Sequence, residues 1–128
     1  MLFRSNSYRD LLVWHRSMQL AEEVYRATTD FPRTETYGLS AQLQRSVTSV
    51  ASNIAEGHAR NSTAEFLRFI SIALGSIAES ETQLTLAQRL TYLHPESCAK
   101  LLKQADEVGK MLRGLQRTLR KRAEARTR

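Results

Sequence analysis

Apolar residues recur at steps of three and four on both sides of one short polar break, and that period restricts the chain to helices packed along their length. Before the break, Leu43, Val47, Val50 and Ile54 keep the step; after it, Phe66, Ile70, Ala73, Ile77, Leu84 and Ala87 keep it, with Ser80 in the missing place. Such spacing holds one stripe against a partner helix over many turns, which is the pattern of a helical hairpin. The break runs through Asn53-Ile54-Ala55-Glu56-Gly57-His58-Ala59-Arg60-Asn61-Ser62. Gly57 follows the last periodic residue, where a left-handed C′ position is easiest for a residue without Cβ. Ser62-Thr63-Ala64-Glu65 has capping-box spacing, with the hydroxyl able to accept from the third helical N–H and Glu65 able to reach back. The spacing predicts two long antiparallel helices joined by a short turn.

The flanking segments carry the same period. Asn6-Ser7 offers an N-cap, and Leu11, Trp14, Met18, Ala21 and Tyr25 follow at steps of three and four, so a first helix is expected over 7–29. Val13, Leu20 and Val24 form a second apolar stripe on it. Two readings follow: a helix sunk deep in a monomeric core, or one stripe in the core and the other against a neighbouring subunit. Phe31-Pro32 breaks the pattern, and the second helix is expected over 35–56, with Gly38 weakening its start. The third is expected over 62–92, ended by His94-Pro95. Pro95 suits the first turn of a fourth helix over 95–122, whose stripe is Leu101, Ala105, Val108, Leu112, Leu115 and Leu119. Residues 123–128 have no apolar partner and are expected to fray. The fold class is therefore all-α, one domain over 1–128, an up-down-up-down antiparallel four-helix bundle. Small polar stripes, Ser46, Ser49, Asn53 and Glu56 on the second helix and Ser71, Gly75, Ser76 and Glu79 on the third, would let two backbones approach closely.

Several function classes lack their residues. Met1-Leu2-Phe3-Arg4 is followed by polar residues rather than the apolar core of a signal peptide. The longest mostly apolar run, Phe69 to Ala78, is too short to span a bilayer, so a cytoplasmic protein without a membrane partner is expected. One cysteine, Cys98, excludes an internal disulfide and a multi-cysteine zinc site. The di-metal bundle motif needs glutamate followed three residues later by histidine, and His15, His58 and His94 fall in separate segments without it. Phosphate-binding glycine motifs are absent. No metal, cofactor, small-molecule substrate or catalytic residue is expected. Glu56, Glu79 and Glu81 are the carboxylates placed for helix interfaces, with Asn53 and Arg45 as partners. A paired acid–base site is conceivable there, but the residues favour a polar network that fixes register or subunit contact, with Gly57 structural too.

The formal charge of +6 is unevenly spread. Residues up to 99 carry nine Lys/Arg against ten Asp/Glu, whereas the remainder carries ten against three. With Ala105 at heptad position a, the outer positions of the fourth helix hold Lys100, Lys103, Lys110, Arg113, Arg117, Arg120 and Lys121, interrupted by Asp106, Glu107 and Glu124. One reading is a solvated face that also favours its own helix dipole; the other is a polyanion-binding face. An acidic membrane surface fits less well, for want of exposed aromatics that would insert into lipid.

The segment Glu35-Thr36-Tyr37-Gly38-Leu39-Ser40-Ala41-Gln42-Leu43-Gln44-Arg45, together with Ser49-Val50-Ala51-Ser52-Asn53-Ile54-Ala55-Glu56-Gly57, resembles the bacterial four-helix-bundle family of ribosomal RNA intervening-sequence proteins. The likeness continues through Phe66-Leu67-Arg68-Phe69 and Ile72 to Glu81. Asp10-Leu11-Leu12-Val13-Trp14 resembles the family's opening signature, and Leu112-Arg113-Gly114-Leu115 its fourth helix. The resemblance implies a bundle assembling into a homopentameric ring, without established catalytic activity. A similar accessory protein of diversity-generating retroelements binds nucleic acid and a reverse transcriptase. The expected function is a non-enzymatic, ring-forming protein that binds RNA or other nucleic acid through the fourth helix. The alternative is a protein–protein adaptor docking on a nucleic-acid enzyme such as a reverse transcriptase or maturation nuclease.

Overall fold

The structure is a computed structural model that describes residues 7–126. Four helices, α1 (Leu12–Thr28), α2 (Leu39–Ala59), α3 (Thr63–Arg89) and α4 (Pro95–Arg126), follow one another with short connections. Each packs on the next and α4 closes back on α1, while the backbones of the diagonal pairs stay apart. This is the antiparallel four-helix bundle that the period requires. Its core holds the expected stripes: Leu43, Val47, Val50 and Ile54 from α2, Ile70, Ala73, Ile77, Leu84 and Ala87 from α3, and Leu101, Ala105, Val108, Leu112 and Leu119 from α4.

Helix α1 buries one of its two stripes fully and the other only in part, with Leu11, Trp14 and Ala21 packed against the edge of the core. Val13, Leu20 and Val24 are buried, with Ser17 between them donating its hydroxyl to the Val13 carbonyl at 2.8 Å. Met18 and Tyr25 of the other stripe stay 38% and 47% exposed. The helix also starts later than expected. Ser7 caps a single 3-10 turn, Tyr8–Asp10, accepting from the Arg9 amide at 3.1 Å, and Leu11 is extended before α1 begins. Asn6 of the expected N-cap pair lies outside the described residues.

Helix α2 is displaced relative to the 35–56 expectation at both ends. Its N-cap is Gly38, which has no side chain to offer; Glu35, on a 3-10 turn Arg33–Glu35, supplies the acceptor instead, taking the Leu39 amide at 2.9 Å. The other oxygen of Glu35 accepts from the Tyr92 hydroxyl at 3.0 Å. That contact, then burial, then the carboxylate's charge raise the Tyr92 pKa above its ordinary value. Tyr92 also lies against Phe31, ring centroids 5.7 Å apart, so the two connections at this end of the bundle are tied together.

Gly57 corrects the sequence reading. No glycine among the described residues has positive φ, and α2 continues through Gly57 to Ala59. A Cβ at Gly57 would stand 2.6 Å from the Phe69 Cβ and 3.0 Å from Phe66 Cδ1. The glycine is there for a close approach of α2 and α3, not for a left-handed turn. The same closeness is served higher up by small hydroxyls. Ser80 donates to Ser46 at 2.8 Å, Ser46 lies 2.8 Å from the Gln83 amide oxygen, and Ser49 and Ser76 meet at 2.9 Å. Buried hydroxyls cost stability unless bonded, and these satisfy one another across the seam.

The left-handed residue is Thr91, φ 64°, after α3. The Tyr92 amide donates to Ala87 O and the Thr91 amide to Gln88 O, both at 2.9 Å, which is the Schellman pattern. A β-branched residue is strained there. Thr91→Gly is expected to raise stability by about 0.5–1 kcal/mol, the relieved strain exceeding the entropy glycine returns to the unfolded chain. A lower urea midpoint for the variant would show that Thr91 is not strained. Helix α3 thus spans less than the expected 62–92, and α4 stays helical through 123–126, where fraying was expected.

Candidate nucleic-acid interface

Helix α4 positions the basic residues by a simple rule: its leucine stripe points into the bundle, so residues on the opposite arc point out. Lys100, Lys103, Lys110, Arg113, Arg117, Arg120 and Lys121 are all exposed. They are not equally available. Lys110 pairs with Asp106 at 3.1 Å. Arg113 lies flat over Gly109, its Nη1 3.5 Å from where a Cβ would sit, beside a crevice that also holds Glu81 and Asp106. Beyond Glu107 no carboxylate occurs on α4 until Glu124. Arg113 and Arg117 therefore lie in a stretch of α4 free of carboxylates, while Arg120 and Lys121 stand one turn before Glu124.

The structure adds three cations that the sequence reading passed over. The α4 stripe steps 105, 108, 112, 115, 119 and then 122 and 126, so Arg122 and Arg126 occupy core register beyond the last leucine. With Arg60, at the end of α2, they line a cleft of about 710 Å³ between the α2–α3 turn and the last turns of α4. Phe66, Leu115 and Leu119 supply apolar walls, and no Asp or Glu lines it. Arg60 holds Glu56 at 3.1 Å and stacks 5.1 Å from the Phe69 ring centroid. The in-register arginine pair was the available signal; it was missed because the helix was ended at Arg122 and Arg126 was assigned to a fraying tail.

The residues expected at helix interfaces are dispersed. Glu56 is exposed and occupied by Arg60. Glu79 and Arg45 are exposed on outer faces, and Glu81 is half-buried near α4. Asn53 turns to its own helix, donating to the Ser49 carbonyl at 2.8 Å and hydroxyl at 2.9 Å. Glu56 and Glu79 are therefore not interface carboxylates within the bundle: both are exposed, and the polar contacts across the α2–α3 seam are made by serine hydroxyls and Gln83. Ser62 caps α3 by accepting the Glu65 amide at 3.2 Å, while the Glu65 carboxylate faces Arg68 at 3.4 Å rather than reaching back. Cys98 is fully buried, with Sγ 3.5 Å from the Leu84 carbonyl, and burial raises its pKa, so its thiolate is disfavoured. Among the described residues no group of His, Cys, Asp and Glu side chains could hold a metal ion, and no helix is long and apolar enough to cross a membrane.

A second feature lies on the far side of the molecule. On the second α1 stripe, the partly buried Trp14 and the exposed Met18 and Tyr25 line an open groove of about 640 Å³ together with Ala51 and Ala55 of α2. Tyr8 closes one end, its ring edge-on to Trp14 at 5.1 Å between centroids.

No curated protein matches the chain. Among solved structures, it resembles a crystal structure of a protein of unknown function from the S23 ribosomal protein family of Bacteroides thetaiotaomicron. That likeness has a TM-score of 0.74 and 27% identity, over 81% of this chain and 97% of that one. The family model described as 23S rRNA-intervening sequence protein matches residues 9–114, from the 3-10 turn to the basic row of α4. The chain belongs to the 23S rRNA-intervening sequence protein family.

Proposed function

We propose that this protein is a non-enzymatic, ring-forming bundle that works in the cytoplasm and binds RNA or other nucleic acid through α4. The observation that carries the reading is the exposed row Arg113, Arg117, Arg120 and Lys121, in a helix segment without carboxylates from Val108 to Ala123. Phosphate contacts need only exposed cations in a row, and they give sequence-tolerant binding. The family description, which refers to sequences within 23S rRNA, supports RNA as the polyanion. The groove on α1 and α2 supports assembly: its half-exposed Met18 and Tyr25 are an apolar surface that a second copy would cover. In a closed ring each basic row is repeated by symmetry, so several weak contacts act together.

Light scattering together with RNA titration at low salt tests this. A mass several times 14.6 kDa, five times for a pentamer, is expected. Met18→Glu places a charge in the groove and is expected to reduce the mass to the monomer's while helicity persists. A wild-type mass of 14.6 kDa at micromolar concentration would end the ring reading. An assembled ring that retains no RNA would favour the adaptor reading, in which the same groove takes another protein.

A further inference from the structure

Arg122 and Arg126 stand in core register beyond the last leucine, yet both are exposed, so their charges are open to an anion. On α4 the stripe Leu112, Leu115, Leu119 passes directly into Arg122 and Arg126, and the surface opposite them is the α2–α3 turn with Arg60. Three arginines thus line a cleft whose lining contains no carboxylate, and one of them, Arg60, is also paired with Glu56. The N-terminus of α3, at Ser62 and Thr63, adds the positive end of a helix to the same wall. Leu11, Phe66, Leu115 and Leu119 form its apolar part, beside the polar Asn61 and Thr118, with Phe66 half-buried and His58 edge-on to it at 5.7 Å between centroids. At about 710 Å³ the cleft is of the size that encloses a single small organic molecule.

A flat cationic row such as Arg113 to Lys121 accepts any polyanion. A cleft with an apolar, partly aromatic floor and guanidinium groups at its rim selects for a planar ring joined to an anion. Guanidinium matches phosphate bidentately and also stacks on bases. In a duplex the bases are stacked inward and the floor would go unused, whereas unpaired nucleotides can be splayed out and laid against side chains. We infer that this cleft takes one unpaired nucleotide of a bound RNA, its base on Phe66 and Leu115 and its phosphate on Arg60, Arg122 and Arg126. The inference rests on the reading of α4 as an RNA-binding helix and gives that reading a preference: single strands and bulges over uniform duplex.

Fluorescence anisotropy with a labelled single strand and a hairpin duplex of equal length provides one arm of the test. The wild type is expected to favour the single strand by about tenfold, as one stacked base provides. Arg122→Gln/Arg126→Gln, both exposed and so harmless to folding, is expected to bring the two affinities to within about threefold, with duplex binding nearly kept. Equal affinities in the wild type, or an equal loss on both RNAs in the variant, would overturn the inference. The second arm is methyl NMR with adenosine monophosphate, expected to shift Leu11, Leu115 and Leu119. No shift overturns the cleft even where RNA binds. Shifts without any RNA binding keep the cleft and reject the α4 row. Equal shifts with an acidic peptide lacking any ring would also reject a nucleotide site.

Discussion

Replacing Arg113, Arg117, Arg120 and Lys121 together with glutamate is expected to remove measurable RNA binding while helicity and assembly persist. Each replacement reverses one charge, so the four take the formal charge from +6 to −2. The side chains are exposed, and the leucines that hold α4 in place lie on the opposite arc. If about four phosphates are neutralised per copy, the logarithm of wild-type duplex affinity should fall with the logarithm of salt at a slope near −3.6, and less steeply for single strands. The single replacements should not be equal. Arg113 already lies over Gly109 near Glu81 and Asp106, so Arg113→Glu should cost less than Arg117→Glu. Unchanged affinity in the fourfold variant would transfer the function to a protein partner.

Gly57→Leu is expected to be the most damaging single substitution in the α2–α3 seam. Even the first added carbon stands 2.6 Å from the Phe69 Cβ, an atom that cannot swing aside because it is fixed to the α3 backbone. The helices must then separate and loosen the hydroxyl contacts above. Overpacking of this kind costs about 1–3 kcal/mol, and a leucine lies at or beyond the upper end. Gly57→Ala recovers about 1 kcal/mol of helix propensity and should lose about 1–2 net. Gly57→Asn separates the two uses of a glycine: a left-handed position tolerates asparagine, whereas a close approach does not. Its urea midpoint should fall at least as far as that of alanine. Gly75→Ala is the control, since nothing lies within 4 Å of its Cβ, and it should gain up to about 1 kcal/mol. Asparagine tolerated at Gly57 would refute the close approach.

How far the chain could be read differs from residue to residue. The stripes were legible because burial follows period: Leu43, Val47, Val50 and Ile54 have no exposure at all. Ser80, filling a gap in the stripe, was legible as core, but its partner Ser46 lies on another helix and no local spacing names it. Gly57 failed for the same reason, since the atom that requires it belongs to Phe69 across the seam. Thr91 carried no signal, because left-handed threonine is set by the two amide contacts that end α3 rather than by its own preference. On α1 both stripes had the right period, and which one is core depends on where α4 packs. The basic row was legible as a row; the cleft was not, because it joins α4 to a turn sixty residues earlier in the chain.

The three residues between α2 and α3 also set an order of events. Closing so short a loop costs little chain entropy, and the entropy penalty rises with the length of chain enclosed. The α2–α3 hairpin is therefore the contact reached first from the unfolded state, and the meeting of α1 with α4, which encloses most of the chain, is reached last. Leu11, at the entry to α1, and Arg122 and Arg126, at the exit of α4, belong to that final step. A nascent chain would hold a formed hairpin while the walls of the nucleotide cleft were still apart, so RNA encountered before synthesis ends would meet the hairpin without the cleft.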